Sequence, residues 1–264
     1  MDAKGRDELI LEHVRRYHLT TDEILASLFF EGGSVRAARK VTTRLKAEGK
    51  LSRHRFFEGR VLCQLTPRAA EALGEHRSIC RKFNYQGLVN AYGVLLFCAR
   101  SGVDKFTARE FMDRFPDLHR RGTRASNYYV DNEASGKRLG FIQVDSGREA
   151  TKLVQKIRKI ISRAYGVPNF AKLIQSGRFV IAIVTPTQGK KTLIERALAD
   201  EPASPVKYRV EVLDELAHLL INPPGAMKHV VSEKTPHGDI PAPGHSPYLT
   251  PDAEEARPDE EDVS

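Results

Sequence analysis

The order of helix and strand signals in residues 7–77 constrains this fold more than any other feature of the chain. Two stretches with helically spaced apolar residues come first, and Gly32-Gly33 ends the second. A third helix is predicted from Ser34, its N-cap, to a stop at Gly49. Two short strands then flank Glu58-Gly59, and Thr66-Pro67 begins a fourth helix.

Caps and apolar positions define these helices further. We expect Asp7 to cap the first helix and Thr20 or Thr21 to cap the second. The residues expected to face inward are Leu9, Ile10, Val14, Tyr17, Ile24, Leu25, Leu28, Val35, Ala38, Val41 and Leu45. In the hairpin, we expect one of two phenylalanines, Phe56 or Phe57, to be buried and His54 to be exposed.

Helix, helix, helix, hairpin, helix is the order of a winged helix-turn-helix. In that motif the second helix braces the third, which enters the major groove of DNA. The hairpin, or wing, is expected to lie against the flanking DNA backbone. The sequence therefore predicts a DNA-binding domain over residues 1–77.

Basic residues are concentrated in the third helix and the hairpin. Residues 34–60 hold nine Lys and Arg against two Glu, a net charge of +7. The basic helical residues recur every three or four positions, off the apolar stripe, so one face presents them together. An ordinary solvated basic face is the alternative interpretation. The residues predicted to contact DNA are Ser34, Arg36, Arg39, Lys40, Thr43, Arg44 and Lys46 in the helix, and Arg53, Arg55 and Arg60 in the hairpin.

The charge of the whole chain supports a polyanionic partner. The 264 residues have a net charge of +8, but residues 252–264 alone carry −6, which leaves +14 on residues 1–251. A body that basic favours nucleic acid as the partner. The acidic end is either inert or a competitor of DNA for the basic face.

Several classes of protein are excluded by the absence of their signals. The longest apolar runs are far short of the ~20 residues that span a bilayer. The N-terminus has no signal-peptide core. Cys63, Cys80 and Cys98 form no CxxC pair, and neither a Walker A loop nor GxGxxG occurs. We therefore expect a cytoplasmic, nucleoid-associated protein with reduced thiols, no cofactor, no metal and no membrane partner.

The rest of the chain predicts a second domain and a tail. Residues 78–122 form a helical connector with one strongly apolar helix, buried or at a dimer interface. Residues 123–222 have the order β-β-α-β-α-β-α, which predicts a small mixed sheet covered by helices, with Val180–Val184 in a central strand. Residues 223–264, rich in Pro, Gly and acidic residues, are predicted to be disordered. The fold class is thus α+β, with a winged helix-turn-helix, an α/β domain and an acidic tail.

The N-terminal residues resemble a known family. The stretches Thr21–Leu25, Leu28–Phe30, Leu45–Leu51 and Leu65–Ala70 match the winged-helix part of the replication-relaxation proteins of plasmids and other mobile elements. Where that family has a second half, it is similar to the PD-(D/E)xK nuclease fold, and residues 141–185 look like its strand–helix–strand core. Because fold does not fix function, the resemblance implies DNA binding without naming a pathway.

The nuclease motif implied by this resemblance departs from its pattern here. Aligned on the second strand, Gln143 takes the position of an acidic metal ligand and Asp145 that of the lysine. Metal-dependent cleavage needs two or three close carboxylates. We therefore expect an inactive nuclease-like domain. Were it active, its catalytic residues would be Asp131, Asp145, Glu149 and Lys152.

Four functions are compatible with the sequence. The first is a sequence-specific double-stranded DNA-binding regulator, a repressor that reads an inverted repeat as a homodimer and is not an enzyme. The second is an accessory protein of plasmid replication or mobilisation. The third is a Mg²⁺-dependent nuclease, and the fourth is a protein-interaction module with an incidental basic surface.

Overall fold

Helices and a small antiparallel sheet form the N-terminal part of the computed structural model, which describes residues 3–118, 126–133, 136–200 and 204–222. In chain order its elements are α1 (Ala3–Tyr17), β1 (Thr20–Thr21), α2 (Asp22–Phe29), α3 (Val35–Ala47), β2 (Leu51–Arg55), β3 (Val61–Leu65) and α4 (Pro67–Ala72). β3 lies between β1 and β2 and is antiparallel to both. The predicted order of helices and hairpin is therefore present.

Local capping chemistry sets the helix starts. The side chains of Thr21, Ser34 and Thr66 accept hydrogen bonds from backbone N–H groups in the first turns of α2, α3 and α4. The expected cap at Asp7 is wrong, because α1 begins four residues earlier. Leu9 and Leu28, expected to face inward, are 46% and 42% exposed.

A long apolar helix follows the N-terminal part. α5 (Tyr85–Ser101) starts at the N-cap Asn84 and ends at Gly102, which takes a left-handed conformation. α6 (Ala108–Arg114) begins with a capping box formed by Thr107 and Glu110. Nine residues of α5 are buried, from Leu88 to Cys98. They pack within this chain, so the face that the sequence offered for dimerisation is occupied.

A four-stranded mixed sheet forms the C-terminal half. Its elements are β4 (Tyr128–Glu133), β5 (Gly136–Val144), α7 (Ala150–Tyr165), α8 (Pro168–Gln175), β6 (Phe179–Thr185), α9 (Gln188–Ala199), β7 (Lys207–Val212) and α10 (Asp214–Ile221). The strand order is β4-β5-β6-β7; β4 is antiparallel to β5, and the other pairs are parallel. Every residue of β6 is buried, which confirms the predicted central strand. The sequence did not predict α8.

The two faces of this sheet carry different helices. Ile142, Val144 and Val184 pack with α5 and α10 in one core, which also holds Phe56, Phe57 and other residues of the N-terminal part. Phe141, Ile181 and Ile183 face the other way, onto α7, α8 and α9. The N-terminal part and α7 therefore lie on opposite sides of the sheet.

Two glycines allow neighbouring groups to pack closely against β5. A Cβ at Gly93 would lie 2.7 Å from a methyl group of Val144, and a Cβ at Gly140 would lie 2.1 Å from the ring of Tyr129. These distances are well below van der Waals contact, so only glycine lets α5 and the Tyr129 ring pack this closely on β5.

The described part of the chain is thus a mixed α+β structure with two sheets. The segments predicted as separate domains share one core through α5. The predicted disordered tail, 223–264, lies outside the described residues. Among those described, no helix is both long and apolar enough to cross a membrane.

Candidate nucleic-acid interface

α3 has one buried face and one exposed basic face. Ala38, Val41, Thr42 and Leu45 are buried against the rest of the N-terminal part. At about 100° per residue, Arg36, Arg39, Lys40 and Thr43 fall within a sector of about 100° on the opposite side. All four are exposed. The structure thus brings together four of the residues that the sequence predicted for DNA contact.

Two cations on this face have no carboxylate partner among the described residues: Arg36 and Lys40. Arg39 is 56% exposed, with Nε 3.6 Å from Oδ2 of Asp22. Ser34 caps the helix, and Lys46 is exposed on its flank. The exposed face therefore combines unpaired positive charge with an adjacent helix N-terminus, which suits an anionic ligand.

A buried carboxylate orients this face. Asp22 is fully buried at the start of α2 and accepts hydrogen bonds from Thr42 Oγ1 and Arg53 Nη2, each at 2.7 Å. Arg53 also donates to Thr43 Oγ1. One carboxylate thus ties α2, α3 and β2 together, which fixes the direction in which the basic face points.

Arg53 differs from its predicted role. We expected it to contact the DNA backbone, but only 12% of its side chain is exposed, and its guanidinium is bound to Asp22. Arg44 is also engaged, through hydrogen bonds of 2.7–2.8 Å to Asp7 and Glu48, although it is 46% exposed. Asp22 and Thr42 were not among the residues that the sequence predicted for this face. The spacing of Thr42 relative to Ala38, Val41 and Leu45 is the i, i+3, i+4, i+7 pattern that would have found it.

The hairpin tip packs onto the second sheet's helices instead of projecting into solvent. Both Phe56 and Phe57 are buried, where we expected one, and both rings pack edge-on against Tyr92 of α5. Both can be buried because Phe57 lies in a tight turn in which Glu58 and Gly59 take positive φ. The wing is therefore not free along its whole length to lie on DNA.

Polar contacts complete the docking of the tip. Arg60 Nη1 donates to the hydroxyl of Tyr92 at 2.9 Å and lies over the Phe57 ring. Burial raises the pKa of Tyr92 to about 12. Glu58 pairs with His218 of α10. Arg60, predicted to contact the DNA backbone, is thus committed inside the chain, while Arg55 and His54 are exposed.

The candidate nuclease carboxylates do not come together. Asp131 pairs with Arg138 across β4 and β5, on the sheet face that carries α5. Asp145 lies directly after β5, seven residues beyond Arg138, which places it about 23 Å further along the strand. Its side chain points to the other face of the sheet. One metal ion cannot bind both carboxylates, since carboxylate oxygens lie roughly 2.0–2.6 Å from a bound Mg²⁺ or Ca²⁺.

Each candidate has its own local contacts. Asp145 Oδ1 accepts hydrogen bonds from the backbone N–H groups of Gly147 and Arg148, and burial raises the pKa of this carboxyl. Gln143 is buried and donates to the backbone carbonyl of Val144. Glu149 and Lys152 are exposed and paired with each other at 3.3 Å. Among the described residues, no cluster of three or more His, Cys, Asp or Glu could hold a metal ion.

The cysteines are free thiols. Cys63 and Cys98 are buried, and burial raises the pKa of each to about 12. Cys80 is half-buried. At neutral pH, Cys63 and Cys98 therefore remain protonated and are poor nucleophiles or metal ligands.

The chain matches no protein-family model, and no curated protein or solved structure is significantly similar to it. The resemblance to replication-relaxation proteins therefore stays a prediction, and the candidate interface is supported only by the geometry and charge of α3 described above.

Proposed function

We propose that this protein is a sequence-specific double-stranded DNA-binding regulator that reads DNA with α3. The observation that carries the proposal is the exposed face of α3, where Arg36 and Lys40 are unpaired among the described residues and the opposite face is buried. An α-helix fits the major groove, and arginine there reads guanine with two hydrogen bonds. The element order around α3 is that of a winged helix-turn-helix.

The hairpin has a smaller part in this proposal than the sequence alone implied. Its tip is packed on α5, so backbone contacts from it are limited to Arg55, the exposed cation at the end of β2. Most of the recognition then falls to α3. A regulator of this kind would act as a repressor by occupying its site, and as a homodimer it would select an inverted repeat.

The test begins by selecting bound duplexes from a random pool. Against the selected duplex, Arg36→Ala is expected to weaken binding by about 1–3 kcal/mol, or about 5- to 150-fold, if Arg36 contacts a base. Lys40→Ala is expected to reduce the slope of log affinity against log salt by about 1 if Lys40 contacts a phosphate.

Arg109→Ala is the matched control. This arginine is 87% exposed on α6, and removing it changes the net charge by the same amount. Fluorescence anisotropy over a salt series measures all three variants. Wild-type affinity in both α3 variants, or an equal loss in the control, contradicts the proposal. A palindromic selected motif supports the homodimer, and an asymmetric motif contradicts it.

A further inference from the structure

α7 carries a second row of exposed cations. Lys152, Lys156, Lys159 and Arg163 are spaced four, three and four residues apart, and all are exposed. At about 100° per residue they occupy a sector of only about 60°, and they extend for about 16 Å along the helix. We call these four residues the α7 stripe.

The stripe has little compensating negative charge. Lys152 pairs with Glu149 at 3.3 Å, and no ion pair joins Lys156, Lys159 or Arg163 to a carboxylate in the described part of the chain. Arg148, also exposed, precedes the helix. Partial desolvation, the larger cause, and the positive charge of Arg148 both lower the pKa of Lys156. A polyanion bound here would offset the repulsion between Lys156 and Arg148.

The other face of α7 is already used. Leu153, Val154 and Ile157 are buried in the core against the sheet. A helix that binds a membrane surface needs its apolar face free to enter the lipid. The α7 stripe therefore favours a ligand recognised through charge alone. Double-stranded DNA carries one negative charge per about 1.7 Å of its axis with both strands counted, so a 16 Å length of duplex carries about nine charges.

We propose that the α7 stripe is a second, sequence-independent binding site for the phosphate backbone of double-stranded DNA. α7 lies on the opposite side of the four-stranded sheet from the N-terminal part that holds α3. The protein therefore binds two separate stretches of DNA: α3 recognises the sequence of one, and α7 binds the phosphate backbone of the other. DNA binding by the α7 stripe does not depend on the function proposed for α3. The simultaneous binding of two stretches of DNA does rest on that proposed function.

The experiment uses the full chain with Lys156→Gln, Lys159→Gln and Arg163→Gln combined. Its control combines Arg109→Gln, Lys137→Gln and Lys207→Gln, which removes the same charge from exposed positions scattered over other elements. Both are made in wild type and in an Arg36→Ala, Lys40→Ala background. Because every substituted residue is exposed, thermal unfolding should be unchanged and is measured first.

Binding to a random-sequence 30-base-pair duplex is then followed between 50 and 200 mM salt. Each lost phosphate contact removes about 0.9 from the salt slope. In the α3-substituted background, the stripe variant is expected to lose about 2.7 from the slope, which corresponds to about 40-fold over this salt range. Equal slopes for the stripe variant and the scattered control overturn the proposal.

Co-capture tests the two-stretch arrangement. The wild type is expected to retain a labelled random duplex on beads that carry the α3-selected duplex, and the stripe variant to bind the beads without retaining it. Co-capture by the stripe variant overturns the arrangement, because two copies of α3 in a dimer would then suffice. Stripe-dependent capture of phosphatidylserine vesicles, with no stripe-dependent DNA binding, would assign the stripe to lipid instead. Whether α3 binds DNA as proposed is measured separately, from the affinity of the α3 variants for the selected duplex.

Discussion

The Nη2 atom of Arg53 lies 2.7 Å from Oδ2 of Asp22, and their side chains are only 12% and 1% exposed. This pair joins the hairpin to the first turn of α2. Because both groups are withdrawn from water, the pair matters mainly for what happens when one partner is removed.

Asp22→Ala is expected to lower the free energy of unfolding by about 3–5 kcal/mol, since it leaves the guanidinium of Arg53 enclosed without its carboxylate. Thr42 loses its acceptor as well. Urea unfolding followed by circular dichroism measures the change. Asp113→Ala is the control, because its pair with Arg109 is exposed at both ends. A loss no larger than the control's would show that the Asp22 network is not structural.

Phe57→Ala tests the docking of the hairpin on α5. The Phe57 ring is 3% exposed and packs 5.7 Å from the Tyr92 ring, centroid to centroid. Truncating a buried phenylalanine costs about 3–5 kcal/mol. His54→Ala, on the exposed part of the same hairpin, should leave the unfolding midpoint in urea unchanged. Equal midpoints in the two variants would mean that the tip is loose in solution.

Gly93→Ala tests the contact between α5 and β5. In an open helix interior, alanine is favoured over glycine by about 1 kcal/mol. At Gly93 the added methyl would overlap Val144, so we expect a net loss of about 1–3 kcal/mol. Gly189→Ala in α9, where a Cβ meets nothing within 4 Å, is expected to raise the thermal midpoint instead. A gain in both variants would contradict the tight packing.

Two histidines make the fold sensitive to acid. Burial lowers the pKa of both His13 and His18 from 6.5 to about 4. The unfolded chain therefore binds these protons first, so the contribution of the two histidines to stability is constant above about pH 6.5 and falls as the pH drops from 6.5 towards 4. Each histidine contributes at most about 1.4 kcal/mol per pH unit.

Urea unfolding at several pH values between 7.5 and 4.5 measures this slope. His18 has a φ of 66°, a left-handed conformation that asparagine also tolerates, so His18→Asn is expected to fold and to flatten the slope. His54→Asn, at an exposed position, serves as the control. An unchanged slope in His18→Asn would show that His18 does not titrate in this window.

Local signals predicted the helix and strand order well, because caps and turn residues act over a few positions. The caps at Thr21, Ser34 and Thr66 and the fully apolar β6 are examples. The exposed face of α3 followed from helical spacing alone. The mixed four-stranded sheet also followed from the order of its elements.

Tertiary pairing is what the sequence did not reveal. Arg53 and Arg60 are residues of the type that contacts DNA. In the structure, however, they form hydrogen bonds with Asp22 and Tyr92 within the chain. Likewise, Asp131 and Asp145 are close in the chain, but their strand register separates them by about 23 Å. No local pattern carries such information.

The shared core around α5 limits how this chain can be divided. A fragment ending near residue 77 would keep Phe56 and Phe57 but lose the Tyr92 ring that covers them. Such a fragment presents an aromatic patch to water and is prone to aggregate, so grafting it onto another protein would not transfer a self-sufficient module. The chain therefore has to be engineered as one piece, and the DNA binding proposed for α3 would be altered through substitutions on its exposed face.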